Sequence, residues 1–359
     1  MRIAITGGGT GGHLYPGFSV AEALATLPGG PFDIRFFGPD DRGERELVDA
    51  RGIPFERVPA AAIRGRGPLS LAKNVLRLAW GTVTAVRRLR AFKPAAIFST
   101  GGYGSFPCSV AAKVLRLPLV VYLPDVAPGW AVKAEQRLAT RMATTTDAAL
   151  RFLPASKTRV TGYPVRATFF SETRASARAK LAIAPDARVV LVAGASQGAT
   201  AINRAIWAGL PALRAAGIDV WHITGSAGIA EAEKAATANP AYHPAAFRDD
   251  LPLLMVAANL GVFRAGASVL GEIPASGIPA VLIPGTFAGA HQRDNAQWLV
   301  DAGAAEIVEE SAIEGLAPRL TALLGEPARL ARMEEAARSL ARPNAARDIA
   351  NLLLEVAKR

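Results

Sequence analysis

Residues 2–17 read RIAITGGGTGGHLYPG: a short apolar run, five glycines between positions 7 and 12, a histidine at 13 and a proline at 16. An apolar strand that opens into nearly bare backbone just before a helix is the first unit of a doubly wound α/β domain. The strand end and the helix N-terminus together offer N–H groups and a positive dipole end, an arrangement that favours anions and phosphates above all. His13 beside such a loop is a candidate base or hydrogen-bond partner, with a structural tie for the loop as the other reading. The run lacks an isolated G-x-G-x-x-G with an acid about 20 positions on, and no G-x-x-x-x-G-K-[ST] occurs anywhere, so neither a dinucleotide fingerprint nor a P-loop is expected.

The same pattern recurs along the chain. Strands are expected at Arg2–Thr6, Ile34–Gly38, Ala95–Ser99, Leu119–Tyr122, Ala143–Thr146 and Arg159–Thr161, then at Val189–Ala193, Val220–Thr224, Leu260–Phe263, Ala280–Ile283 and Ala305–Ile307. Between them, helices are expected at Gly17–Thr26, Leu69–Ala91, Ala199–Ala215, Val269–Ser276 and Gln292–Ala302. Two more glycine loops follow strands, TGGYGSFP at Thr100–Pro107 and GASQGA at Gly194–Ala199. With 359 residues the chain is too long for one core, and the fold class expected is α/β with two doubly wound domains. The expected division is 1–163, 164–341 and a helix at 342–359 returning to the first domain.

Composition narrows the function classes. Residues 1–165 hold 22 Lys and Arg against 11 Asp and Glu, whereas residues 166–359 hold 19 of each, so the whole net charge of +11 lies in the first half. That imbalance points to an anionic partner there. Nucleic acid is not expected, for lack of a stacking platform or a helix-turn-helix pattern. One cysteine, Cys108, rules out an internal disulfide, and the histidines show no metal-ligand spacing, so neither a metal nor a cofactor is expected. No signal peptide or membrane-spanning run is read. His222, alternating on a strand, is expected in the core. The segment Ile63–Pro94 mixes Leu69, Leu76, Trp80 and Val83 with Lys73, Arg77, Arg87 and Arg90. It is either a core-packed helix or one that rests on an anionic membrane surface.

Together with GYPVR at Gly162–Arg166, FRAGASVLGEIPASGIP at Phe263–Pro279 and HQRDNA at His291–Ala296, the three glycine loops resemble the MurG-type glycosyltransferases of family 28, in order and over nearly the whole chain. The resemblance implies the GT-B fold: two Rossmann-like domains facing across a cleft, acceptor in the first and nucleotide sugar in the second. It implies inverting transfer of N-acetylglucosamine from UDP-N-acetylglucosamine to undecaprenyl-diphospho-muramoyl-pentapeptide, at the cytoplasmic face of the membrane, in peptidoglycan synthesis. A family 28 transferase with another nucleotide sugar or lipid acceptor, or a 2-epimerase of the same architecture, stays open as the alternative.

Carried over by position, the resemblance puts Thr10, Gly11 and Gly12 near the sugar and diphosphate, and Gly101, Gly102 and Tyr103 among the substrate contacts. Arg166, Ser196 and Gln197 fall at the phosphates and nucleotide. Ala267, Ser268, Val269, Leu270 and Gly271 form the loop and helix start that receive the nucleotide, with Glu272 on the ribose hydroxyls. Gln292 and Asn295 belong to a donor-binding motif, and Arg248 stands where the family's backbone reads uracil. One stretch departs from the family: its His-Glu-Gln-Asn run is replaced by YLPDVAPG at Tyr122–Gly129, with Pro124 and Val126 in place of the usual Glu and donor-contacting Asn. Asp125 is the carboxylate left there, either an acid/base group or the start of a turn. His13 is the first candidate for the base and Asp125 the second.

Overall fold

The computed structural model describes residues 1–8, 11–41, 43–62, 67–194, 199–285 and 291–358. Two compact units divide the chain: Met1–Val165 with Asn344–Arg359, and Arg166–Pro343. The first holds seven strands, β1 (Arg2–Thr6), β2 (Asp33–Gly38), β3 (Phe55–Arg57), β4 (Ala96–Ser99), β5 (Leu119–Leu123), β6 (Arg141–Thr144) and β7 (Thr158–Val160). They form one parallel sheet in the order β3-β2-β1-β4-β5-β6-β7. Ile3, Ile5, Ile97, Phe98, Val120 and Val121 are wholly buried, as strands covered by helices on both faces require. The last helix, Ala345–Ala357, lies on the Gly11–Thr26 helix and across β4 to β6, and Arg159 anchors its Glu355 at 3.2 Å.

The second unit holds β8 (Arg188–Ala193), β9 (Ile218–Ile223), β10 (Tyr242–Ala245), β11 (Leu260–Phe263), β12 (Ala280–Leu282) and β13 (Ala305–Ile307). Its parallel order is β10-β9-β8-β11-β12-β13, over a core that includes Val190, Val192, Ile206, Leu260, Val262 and Leu320. In each sheet the direction of strand progression reverses once, between β1 and β4 and between β8 and β11. Ligands of open parallel sheets bind outside the carboxyl ends of the strands at such a reversal. The loops after β1, β4, β8 and β11 are the ones that flank the two crevices.

Two strands escape a sequence reading. β3 is three residues long, and β10, with the sequence YHPA, carries Pro244, which a strand paired on one side only can accommodate. The first helix also begins earlier than expected, at Gly11 rather than Gly17, with Pro16 inside it. A proline has no N–H to give to the carbonyl four residues back, here Gly12. The Tyr163 hydroxyl takes that place, donating to the Gly12 oxygen at 3.3 Å. The helix Pro68–Phe92 buries a stripe of Leu78, Gly81, Ala85, Leu89 and Phe92. Gly81 lets it sit directly on the backbone of Pro59, where an added Cβ would meet the carbonyl oxygen at 1.9 Å.

Candidate functional site

In the first unit the glycines of the β1 and β4 loops make room for each other. A Cβ on Gly7 would lie 2.0 Å from the Thr100 hydroxyl, and one on Gly104 would lie 2.8 Å from the Gly7 carbonyl. Thr100 is tied to β1 through its N–H, which donates to the Thr6 oxygen at 2.9 Å. Gly101 and Gly102 turn the chain with φ of 77° and 82°, a left-handed bend that side chains resist.

His13 stands in the first turn of its helix, against this bend. Its Nδ1 lies 3.0 Å from the Thr100 carbonyl oxygen, and the Gly102 Cβ position falls 3.1 Å from its Nε2. A carbonyl only accepts, so Nδ1 carries the proton and Nε2 is the nitrogen that can receive one. The half-buried ring is held by its fold partner in the tautomer a general base needs. Gly11, Gly12, Gly101, Gly102 and Tyr103 gather at this same sheet end; Thr10 lies outside the described residues.

Asp125 follows β5, one strand beyond β4, and is half-buried. Its stretch is shaped by Tyr122, whose hydroxyl donates to that of Thr145 at 2.6 Å and lies 3.2 Å from the Gly162 carbonyl oxygen. Thr145 in turn donates to the Pro124 carbonyl at 2.8 Å. Pro124 and Val126 are buried parts of that framework. Burial and the Asp125 charge push the Tyr122 phenol well up, so it acts here as a neutral tie.

In the second unit the site residues cluster after β11. Ala267 and Ser268 are half-exposed, whereas Val269, Leu270 and Gly271 are buried. Their N–H groups close tight turns onto the carbonyls of Gly266, Ala267 and Ser268 at 3.3, 3.2 and 3.0 Å. Glu272 stands one turn into this helix; burial raises its carboxyl, against a hydrogen bond from Ser268 and the charge of Arg166, which lower it. Arg166 donates to the Asp249 carbonyl at 2.8 Å, which fastens it to the FRDDL segment. In that segment Arg248 grips Asp250 with two bonds of 2.7 and 2.5 Å and lies over the Trp221 ring, so its side chain shapes the loop.

Gln292 accepts the Gly285 N–H at 2.8 Å, and buried Asn295 donates to the Ala265 carbonyl at 3.1 Å. Both amides therefore brace the loops after β12 and β11. Ser196 and Gln197 lie outside the described residues. Among the described residues no three His, Cys, Asp or Glu side chains group as a metal site needs. His222 is a core residue: its ring nitrogens meet the Tyr242 hydroxyl at 2.9 Å and Asn203 Oδ1 at 3.0 Å.

Two residues that build the site receive no role from the sequence, Tyr163 and Glu135. Tyr163 stands inside the GYPVR motif yet serves the start of the first helix, and Glu135 is the single acid between Asp125 and Asp147, buried under the β4 loop.

Residues 3–144 match the glycosyltransferase family 28 N-terminal domain and residues 189–353 the family 28 C-terminal domain. A protein of Roseiflexus sp. strain RS-1, named UDP-N-acetylglucosamine–N-acetylmuramyl-(pentapeptide) pyrophosphoryl-undecaprenol N-acetylglucosamine transferase, is 36% identical over 98% of this chain and 94% of its own. A protein of the same name from Solidesulfovibrio magneticus is 38% identical over 99% of this chain and 98% of its own. Among solved structures, MurG of Acinetobacter baumannii superposes with a TM-score of 0.76 at 24% identity, covering 99% of both chains. The UDP-GlcNAc 2-epimerase of Neisseria meningitidis shares the fold at a TM-score of 0.68 and 14% identity, over 99% of this chain and all of its own. Two Rossmann-like units with this match on each are the GT-B class, and the chain belongs to glycosyltransferase family 28.

Proposed function

We propose that this enzyme moves N-acetylglucosamine from UDP-N-acetylglucosamine to an undecaprenyl-diphosphate-linked N-acetylmuramyl-pentapeptide, the step that forms lipid II. The observation that carries this reading is likeness along essentially the whole chain to transferases named for that one reaction.

The chemistry is an inverting displacement at the anomeric carbon. An acceptor hydroxyl must lose its proton, and a nucleoside diphosphate must leave with growing negative charge. His13 Nε2 serves as the base or orients the acceptor hydroxyl, because Nδ1 is committed to Thr100. Asp125 is the second candidate for that work. In the second unit, Glu272 accepts hydrogen bonds from a vicinal diol, which suits the ribose. Arg166 and the start of the Val269–Ser276 helix bring positive charge to the diphosphate. Gln292 and Asn295 act by holding the loops that contact the donor.

The lipid-linked acceptor asks for a membrane surface, and the helix Pro68–Phe92 supplies a face for one. Opposite its buried stripe run Leu69, Leu76, Trp80 and Val83, exposed by 89, 71, 60 and 45%. Lys73, Arg87 and Arg90 lie exposed on the same side. An apolar stripe flanked by cations fits an anionic leaflet, each cation near such a surface adding about 1 kcal/mol. No helix among the described residues is long and apolar enough to cross a membrane, so attachment is peripheral on this reading.

The test is a transfer assay with a panel of labelled nucleotide sugars and a lipid-linked muramoyl-pentapeptide. Product from UDP-N-acetylglucosamine is expected. Transfer only from another nucleotide sugar, or epimerisation of the donor without transfer, overturns the reading.

A further inference from the structure

Beneath the β4 loop sits a carboxyl that the displacement does not consume. Glu135, the last residue of the helix Trp130–Glu135, is wholly buried, and no cation pairs with it among the described residues. Its Oε2 meets the Ser99 hydroxyl at 2.9 Å and its Oε1 the Ser105 hydroxyl at 2.7 Å. Ser109 and Cys108 face it from the helix Phe106–Val114. Burial pushes the Cys108 thiol up to about 12, so that neighbour stays neutral.

The two serines connect this carboxyl to the backbone beside His13. Ser99 Oγ accepts the Gly101 N–H at 3.2 Å, and Ser105 Oγ lies 2.8 Å from the Gly102 carbonyl oxygen. A serine hydroxyl has a single proton to give. If Glu135 is ionised, it claims the Ser105 proton, and the Gly102 carbonyl loses the hydroxyl donor and keeps only the longer bond from the Ser105 N–H at 3.4 Å. If Glu135 is protonated, its own O–H goes to Ser105, Ser105 donates to Gly102, and Ser99 donates to the second carboxyl oxygen. All four contacts are satisfied at once only in the protonated form. Burial favours that form, raising the carboxyl to about 7 against the serine hydroxyls, which lower it.

We infer that Glu135 is a positioning residue for the transfer reaction: through Ser99 and Ser105 its protonated carboxyl fastens Gly101 and Gly102, the bend against which the His13 ring lies. The inference rests on the reading of His13 as base or acceptor-orienting group. Glu135 touches no substrate and moves no substrate proton. When it ionises, the bend at Gly102 is held less tightly next to the His13 ring and turnover falls.

The test compares full-length wild type, Glu135→Gln, Glu135→Ala, Ser105→Ala and His13→Ala by kcat and KM across pH. Glu135→Ala is expected to lower kcat at least about tenfold, with donor KM little changed. Glu135→Gln is the conservative rescue: its NH2 donates to Ser105 and its carbonyl accepts from Ser99, as the neutral acid does. It should recover most of that loss and lack the decline in kcat that the wild type shows between about pH 6.5 and 8. Ser105→Ala should also lack that decline, because there is no proton left to reclaim, and it carries the test if Glu135→Ala does not fold. A Gln variant with the wild-type pH profile, or an Ala variant that melts earlier yet keeps its kcat, overturns the inference while leaving His13 in place. Normal turnover in His13→Ala overturns both.

Discussion

The Tyr163 hydroxyl donates to the Gly12 carbonyl at 3.3 Å, and so repairs the gap that Pro16 leaves in the first helix. Gly12 is half-buried, so losing the bond to its carbonyl costs about 0.5–1.5 kcal/mol. Tyr163→Phe should therefore weaken the Gly11–Thr26 helix by that amount, read as faster hydrogen exchange of its amides. Pro16→Ala restores the missing N–H, so in that background the same Phe substitution should cost much less. A coupling of about 0.5–1.5 kcal/mol between the two changes is expected. Strict additivity across the cycle would show that the hydroxyl does nothing for the proline's partner.

His13 has one nitrogen fixed and one available, which makes its role testable apart from its packing. His13→Ala should lower kcat roughly 10²- to 10⁴-fold, the usual loss for a general base. Donor KM should stay within a few-fold, because the groups assigned to the uracil and ribose belong to the second unit. The check is steady-state kinetics with each substrate varied in turn. A variant whose loss lies in donor KM alone would assign His13 to donor binding.

Much of this architecture is legible in the amino-acid sequence where periodicity and punctuation agree. β1 and β11 begin and end where their apolar runs do, and the helix Val269–Ser276 matches its expected bounds. The glycine loops mark the strand-order reversal of the first sheet because only small residues allow the interlocking of Gly7 with Thr100 and of Gly104 with Gly7. The start of the first helix is hidden for the same reason: Gly11, Gly12 and Pro16 are poor helix formers, and the contact that sustains them comes from Tyr163, 151 residues on. Glu135 shows no pattern at all. Its partners Ser99 and Ser105 stand 36 and 30 residues away, and only the folded sheet brings them together. Arg166 and Asp249 are likewise joined across 83 positions.

The two units should respond to pH in opposite senses. Glu135 is raised from 4.5 to about 7 in the folded chain, so its contribution to stability is fully present below pH 4.5 and is lost as pH rises to 7. The difference is worth about 3 kcal/mol. His222 is lowered from 6.5 to about 3 by burial, so its contribution is present above pH 6.5 and lost as pH falls toward 3. There the bonding is already complete for a neutral ring: Trp207 donates to the Tyr242 oxygen, Tyr242 to Nδ1, and Nε2 to Asn203. Hydrogen exchange on the whole chain at about pH 5 and 8, corrected for intrinsic rates, should show the first sheet loosening at the higher pH and the second at the lower. Glu135→Gln should flatten the first trend and His222→Gln the second. A single trend shared by both sheets would refute the assignment.

The exposed stripe of the helix Pro68–Phe92 makes the last prediction. Leu69, Leu76, Trp80 and Val83 recur at intervals of seven, four and three residues, so they share one face, and Arg87 and Arg90 continue it. Burying a large apolar side chain in the interfacial region contributes about 1.5–3 kcal/mol, and the cations add a salt-sensitive part. The protein should float with vesicles of anionic phospholipid at low salt and release partly at high salt. Leu76→Glu with Trp80→Glu should abolish flotation at either salt concentration, since it removes the apolar anchor and adds like charge to the surface. The same pair should leave transfer to a short-chain, water-soluble acceptor nearly intact, because both side chains lie on the exposed helix face opposite the stripe that packs on the unit. If flotation persists in the double variant, or the wild type never binds at low salt, this face does not meet the membrane.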